Sequence, residues 1–249
     1  MSEQDQRLKQ QLEELRLDYI AENYDPAAQE ASRRHWTHVD YLARLMDGQT
    51  QSRHQRCVER RIKNAGFPVI KTMEGFDWNW PKKINRPQVQ NLLRLGFIDQ
   101  KANAVLVGGV GIGKTHLCIA LGHAACLAGY SVKFTTAVEI INTLTAAQVT
   151  HRMKSELKKF VKPTLLCIDE VGYLPIDKLG ADLLFQVISE RYERGSIVLT
   201  TNHLYKSWPK MLNGDATLAS AMLDRLLHHA ETVIIEGKSY RMKDQIEEL

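Results

Sequence analysis

The stretch NAVLVGGVGIGKT, Asn103 to Thr115, constrains the chain more than any other. Its first five residues, apolar but for Asn103, form a run of strand length bounded by glycines, which reads as a strand buried on both faces. Gly108 to Thr115 then fit G-x-x-x-x-G-K-[ST] in full and open a helical pattern over 115–128. Phosphate chemistry needs this order: glycines let backbone N–H groups curl around phosphate oxygens, and the helix N-terminus adds its dipole. A lysine reaches the β and γ phosphates, and a hydroxyl is offered to Mg²⁺. The candidate nucleotide contacts are Gly108, Gly109, Val110, Gly111, Ile112, Gly113, Lys114, Thr115 and His116, with Thr115 also a metal ligand. ATP and Mg²⁺ are the expected cofactors. A chance glycine-rich turn is the bland alternative, and the strand before and helix after weigh against it.

Beyond this motif, helical and strand patterns alternate. Strands are expected at 132–136, 165–168, 197–201 and 232–236, with helical text at 138–160, 180–193 and up to about 229. Alternation of this kind predicts an α/β fold with a parallel five-stranded sheet sandwiched by helices. The third strand ends in Asp169 and Glu170, at the carboxyl edge where ligands bind in such sheets. Asp169 is placed to hold hydrated Mg²⁺, and Glu170 to polarise the attacking water, unless both are simply solvated. The next strand ends in Thr200, Thr201 and Asn202; the amide suits contact with a γ phosphate and a water, or else caps the following helix. In LASAMLDRLLHHA, Arg225 could reach the γ phosphate of a neighbouring subunit, or pair locally with Asp224 or Glu231. Lys114, Glu170, Asn202 and Arg225 are thus the expected catalytic set.

The first 66 residues read as a small all-α domain. Leu8, Leu12, Leu15 and Tyr19 share one helical face, and Asp25 and Pro26 are expected to stop that helix. Thr37 is expected to cap a third helix ending at Asp47 and Gly48, with a fourth from about Gln51 to Ala65. Residues 67–102 form a connector with a short helix from Pro87, and 103–249 the ATPase core. No apolar run suits a signal peptide or a spanning helix, so no membrane partner is expected. Four cysteines without a CxxC pair suit a reducing, cytoplasmic setting.

In order, GGVGIGKT, LLCIDE, TTN and the arginine of LDRL resemble Walker A, Walker B, sensor 1 and the arginine finger of the AAA+ ATPases. HLCIALGHAACLAGYSVKFTTA, IDEVGYLP, RYERGSIVLTTN and EGKSYRMK further resemble the IstB-like transposition helper proteins of bacterial insertion sequences, from about Phe67 to Lys243. Replicative helicase loaders of the DnaC type are close cousins. The resemblance implies an ATP-dependent homo-oligomer on duplex DNA that works with the transposase of its own element at the target site. One departure stands out: only 13 residues follow Glu236, too few for the usual helical lid. No lid-borne sensor 2 arginine is therefore expected, Arg241 is a substitute candidate, and the connector around Phe76 to Trp80 is expected to complete the adenine pocket.

The overall balance, 33 Lys+Arg against 29 Asp+Glu, is only mildly basic, but the charge is unevenly spread. Residues 52–101 carry 11 basic against four acidic side chains, and 150–163 five against one. Arg152, Lys154, Lys158 and Lys159 are the first candidates for DNA phosphate contacts, and the stretch with Arg53, Arg56, Arg60, Arg61 and Lys63 the second. Plain solvated helix faces are the alternative for both. A helicase loader, a small-molecule kinase and a nucleotide-gated scaffold stay open as other functions at this level.

Overall fold

The computed structural model describes residues 3–242. The chain divides into two compact units, 1–60 and 61–249.

The first unit is helical. Helix α1 (Glu3–Glu14) is followed by α2 (Asp18–Arg34) and by α3 (His38–Ala65), whose last turns belong to the second unit. Leu12, Ile20 and Leu45 form its small core, edged by Leu17, Ala21, Tyr24, Ala27 and Tyr41. Two expected stops are corrected here. Pro26 lies inside α2, where it removes one backbone donor; the helix continues because Ile20, Tyr24 and Ala27, on either side of it, pack into the same core. Gly48 does not end a helix either: α3 runs through it unbroken. A Cβ there would fall 2.0 Å from Tyr19 Cε1, so this glycine makes room for a ring rather than for a turn. Thr37 caps α3 as expected, its hydroxyl accepting from the Asp40 N–H at 3.1 Å while Asp40 accepts in return.

The second unit begins with the end of α3 and continues through β1 (Lys83–Ile84), α4 (Arg86–Leu93) and α5 (Gly96–Asp99). Then come β2 (Asn103–Gly108), α6 (Lys114–Leu127), β3 (Val132–Thr136), α7 (Ala137–Val149) and α8 (Met153–Val161). The chain proceeds through β4 (Leu165–Val171), α9 (Lys178–Arg191), β5 (Ser196–Thr201), α10 (Trp208–Met211), α11 (Ala216–Leu227) and β6 (Ala230–Glu236). The sheet order is β1-β6-β2-β5-β4-β3. The five expected strands are parallel, and β1, which was not foreseen, pairs antiparallel with β6 at the edge.

Strand periodicity divides the core in two. Ala104 and Leu106 face α4, α5 and α6, together with Leu165, Cys167 and Val198. Val105, Val107, Leu166, Ile168, Ile197 and Leu199 face the other layer, built by α7 to α11. Every apolar residue of β2 is therefore buried, which explains its unbroken hydrophobic run. The connector is not a free strap: Phe67, Phe76, Val89 and Leu92 join the first of these cores.

The helical text at 138–160 resolves into α7 and α8. Arg191, 1% exposed, anchors the end of α8 to the core. Its Nη1 donates to the carbonyls of Phe160, Val161 and Pro163, and its Nη2 to those of Thr164 and Ser196, all within 3.0 Å. Burial lowers its pKa to about 10, so the carbonyls stabilise a charge that water no longer reaches. Residues 237–242 form a bend and a short 3₁₀ turn (Tyr240–Met242), and the remaining residues on which the expected lack of a lid rests lie outside the described range.

Candidate active site

The phosphate loop leaves β2 next to β5 and β6, at the point where the strand order turns back on itself. Gly111 and Gly113 have φ of 74° and 97°, a left-handed backbone that glycine adopts freely. Gly113 is the N-cap of α6 and supplies no side-chain cap, which leaves the first N–H groups of the helix aimed at the loop. Lys114 Nζ donates to the Gly109 carbonyl at 2.5 Å. Its pKa is held below the usual lysine value mainly by burial, with Arg241 adding to the effect and Asp169 and Glu170 opposing it. Lys114 therefore sits within electrostatic reach of Asp169, Glu170 and Arg241.

The two carboxylates stand where the pairing of β4 with β5 shifts register, between Ile168 and Val171. Glu170 carries φ 59°, an uncommon conformation for a non-glycine residue. Such bulges re-aim side chains; here Asp169 stays buried, 4% exposed, while Glu170 is exposed. Thr115 Oγ1 donates to the Asp169 carboxylate at 2.9 and 3.1 Å from its two oxygens. Thr200 Oγ1 donates to Asp169 Oδ1 at 2.5 Å and accepts from the Glu170 N–H at 3.0 Å. One buried hydroxyl on β5 thus holds both acidic residues. Thr200 opens the TTN text, but the role there was expected of Asn202, and no sequence signal assigned the threonine one of its own. The hydroxyl and carboxylate oxygens gathered by Thr115 and Asp169 fit a Mg²⁺ ion, which takes oxygen ligands.

A cavity of about 480 Å³ opens beside the loop, a size suited to a nucleotide. Gly111 to His116 line one wall; Phe76, Trp80, Tyr240 and Arg241 line the others. The aromatic wall is built by specific contacts. Trp80 Nε1–H donates to the Lys238 carbonyl at 2.9 Å, Trp80 and Tyr240 meet edge to face at 5.5 Å, and the Tyr240 N–H donates to the Gly111 carbonyl at 2.8 Å. A Cβ on Gly111 would lie 2.1 Å from Ser239 Oγ, so only glycine lets the segment after β6 lie this close to the loop. On the other side, His116 Nε2–H donates to the Thr72 carbonyl at 2.7 Å and its ring meets Phe76 at 5.4 Å. The connector and the turn after β6 together enclose the space beside the loop.

Asn202 is exposed just beyond β5. It does not cap the next helical turn, whose N-cap is Leu204, so the capping alternative falls. Arg225, in the last turn of α11, does not line the cavity of its own chain. Neither local partner expected for it is used: Nη1 donates to the Ala221 carbonyl at 3.0 Å and the guanidinium lies 4.9 Å over the Phe185 ring.

The basic candidates separate. Met153, Leu157 and Phe160 fasten α8 to the second core, leaving Arg152, Lys154, Lys158 and Lys159 exposed on its outer side. Lys159 is paired with Glu156 at 2.6 Å. Lys158 and Lys159 line a groove of about 430 Å³ with Lys133, Lys162 and Asn64. In the second stretch Arg56 is bound to Asp18, Arg60 contacts Cys57 Sγ at 3.8 Å and Arg61 lies beside Gly129. No helix among the described residues is long and apolar enough to cross a membrane.

Comparison with known proteins agrees with this geometry. In solved structures the fold is shared with the DnaC helicase loader (TM-score 0.54, 20% identity, 71% of this chain and 99% of that one). It is shared as well with the replication initiator DnaA bound to AMPPCP and single-stranded DNA (TM-score 0.55, 23% identity, 71% and 54%). These likenesses establish an AAA+ fold. Two sequence relatives are named as ATP-binding proteins of insertion sequences. That of IS5376 from Geobacillus stearothermophilus is 38% identical over 96% of this chain and 95% of its own. That of IS21 from Pseudomonas aeruginosa is 37% identical over 94% and 88%. Residues 10–248 match the family described as IstB-like ATP binding protein, and with the phosphate loop, the paired carboxylates and the AAA+ sheet in place, the chain belongs to that family.

Proposed function

We propose that this protein is a cytoplasmic, Mg²⁺-dependent ATPase that assembles as a homo-oligomer on duplex DNA and assists the transposase of its own insertion element in selecting and entering a target site. The observation that carries the enzymatic part is the Thr200-organised pair of Asp169 and Glu170 facing the Thr115 hydroxyl of the phosphate loop. Binding alone would not require a second carboxylate fixed beside the first.

The backbone N–H groups of Gly109 to His116 and the Lys114 ammonium hold the phosphates, while Phe76, Trp80 and Tyr240 receive the base. Thr115 and Asp169 would hold Mg²⁺, which would supply neutralisation of phosphate charge. Glu170 orients the attacking water and accepts its proton, and Asn202 contacts the γ phosphate and that water. Arg241, beside Lys114, supplies a second cation from the same chain. Arg225 acts across a subunit boundary on a neighbour's γ phosphate; its seat over Phe185, off the lining of its own chain's cavity, supports this reading.

DNA contact is assigned to Arg152, Lys154, Lys158 and Lys159, with Arg60 and Arg61 as a second set. The outward basic face of α8 supports this, as does the Arg191 anchor that fixes its end. Few phosphate contacts per subunit bind weakly at physiological salt, and repetition around an oligomer raises the avidity. The transposase partner rests on relatives named for insertion sequences. Electron microscopy with an unhydrolysable ATP analogue and a DNA duplex tests the proposal. Ordered oligomers containing DNA are expected; monomers in every condition, with nucleotide bound, would overturn it.

A further inference from the structure

Away from the phosphate loop, three side chains of metal-ligating type converge on one patch of surface. Glu193, His228 and His229 are all exposed, and one ligand atom from each lies within 4.8 Å of the other two. They come from the ends of two different helices. Tyr192 is the C-cap of α9, with Glu193 next in the chain, and His228 is the C-cap of α11, with His229 next. Helices of 14 and 12 residues thus bring their C-termini, the negative ends of their dipoles, to the same place. A cation is the species such a place favours.

We infer that Glu193, His228 and His229 form a surface site for a divalent transition-metal ion of the Zn²⁺, Co²⁺ or Ni²⁺ type. Two imidazoles and a carboxylate make a ligand set known for zinc, with a fourth position left for water. Imidazole nitrogen suits Zn²⁺, Ni²⁺ and Cu²⁺, whereas Mg²⁺ prefers oxygen alone, so this site and the Thr115–Asp169 site select different ions. Ligands at about 2.1 Å from a tetrahedral ion lie roughly 3.4 Å apart. Closing from within 4.8 Å therefore needs only small rotations of exposed side chains.

The ring of His228 is already oriented. Its Nδ1 lies 2.9 Å from the Tyr192 hydroxyl, and the ring stacks at 4.0 Å, tilted, on that of His229. When the Tyr192 hydroxyl accepts the proton on His228 Nδ1, Nε2 keeps the lone pair a metal needs. A hydrogen bond on the far nitrogen is the usual means by which a ligating histidine is held in the right tautomer. Glu193 is held in a left-handed turn, φ 58°, by the Arg194 and Gly195 N–H groups, both of which donate to the Arg191 carbonyl.

The test uses the full-length, metal-free protein, titrated with Zn²⁺ by calorimetry and with Co²⁺ by visible absorption. One equivalent should bind, and the Co²⁺ spectrum should show a four- or five-coordinate nitrogen and oxygen site without a thiolate band. His228→Ala and His229→Ala should each weaken binding about tenfold or more, and Tyr192→Phe by several-fold. Excess Mg²⁺ should not compete. Lys114→Ala, impaired in ATP binding, should bind the metal as the parent does, which separates this site from the nucleotide site. Unchanged affinity in the His228→Ala/His229→Ala double variant, or a thiolate band pointing to Cys57, would overturn the assignment.

Discussion

Replacing Thr200 with valine isolates the device that holds the two acidic residues. The side chain is 1% exposed, and valine keeps its shape while deleting the hydroxyl. Two hydrogen bonds disappear, one donated to the Asp169 carboxylate at 2.5 Å and one accepted from the Glu170 N–H at 3.0 Å. A bond to a charged acceptor contributes about 1.5–3 kcal/mol and a neutral one about 1 kcal/mol. Asp169 retains the Thr115 hydroxyl, so the expected loss of stability is roughly 2–4 kcal/mol rather than more. For a chain of this length that lowers Tm by about 5–15 °C. Turnover should fall further than stability, because a misplacement near 1 Å of a water-orienting carboxylate costs about 10²-fold in rate. ATP affinity should stay within a few-fold, since the loop backbone holds the phosphates. The assay pairs steady-state hydrolysis at saturating ATP with binding of a fluorescent ATP analogue and a thermal melt, and Thr200→Ser should restore most of the loss. A valine variant that melts lower but hydrolyses at the parent rate would refute the positioning role; one unchanged in both would refute the hydrogen-bond geometry as well.

Glu170→Gln should leave ATP binding intact and reduce hydrolysis by about 10²–10⁴-fold, measured as phosphate release; parental turnover would remove Glu170 from the mechanism. Arg225→Ala should bind ATP normally as a monomer yet lose the hydrolysis that depends on assembly, so a rate that is independent of protein concentration and equal to the parent's would contradict action in trans. Reversing Lys154, Lys158 and Lys159 to glutamate should weaken duplex binding and flatten its salt dependence by about one unit of log–log slope per neutralised contact, read by fluorescence anisotropy. Because Lys159 is already paired with Glu156, Lys154 and Lys158 should account for most of that change. Native-state alkylation at pH 8 should modify Cys57 alone: Cys118, Cys126 and Cys167 are buried, and burial pushes the Cys126 thiol up to about 11. Rapid labelling of a second thiol would show the core to be looser than described.

The phosphate-loop motif was legible because its requirements are local. Strand, glycine turn and helix N-terminus are contiguous in the chain, so the order of residue types from Asn103 to Thr115 carries the geometry. The strand sites of Asp169 and Asn202 followed from apolar runs, and all five parallel strands fall within a few residues of their expected bounds. The helical unit was less legible. Pro26 and Gly48 carry the local signals of helix ends, yet packing of Ile20, Tyr24 and Ala27 on either side of one and of Tyr19 against the other outweighs those signals.

The amino-acid sequence by itself determined the α/β alternation, the phosphate loop and the identity of the acidic pair, because each depends on neighbours within one turn or one strand. Tertiary structure alone decided that Thr200, on the strand between β2 and β4, ties Asp169 to Glu170, and that Trp80 and Tyr240, far apart in the chain, close one wall of the nucleotide cavity. It alone decided too that Arg225 rests on Phe185, and that Glu193 meets His228 and His229. Such contacts arise where strand order and helix packing bring distant segments together, and hydrophobic burial that sets this packing is non-directional. Period and motif therefore report which face of an element is buried, while the particular side chains that meet across it follow only from the assembled sheet.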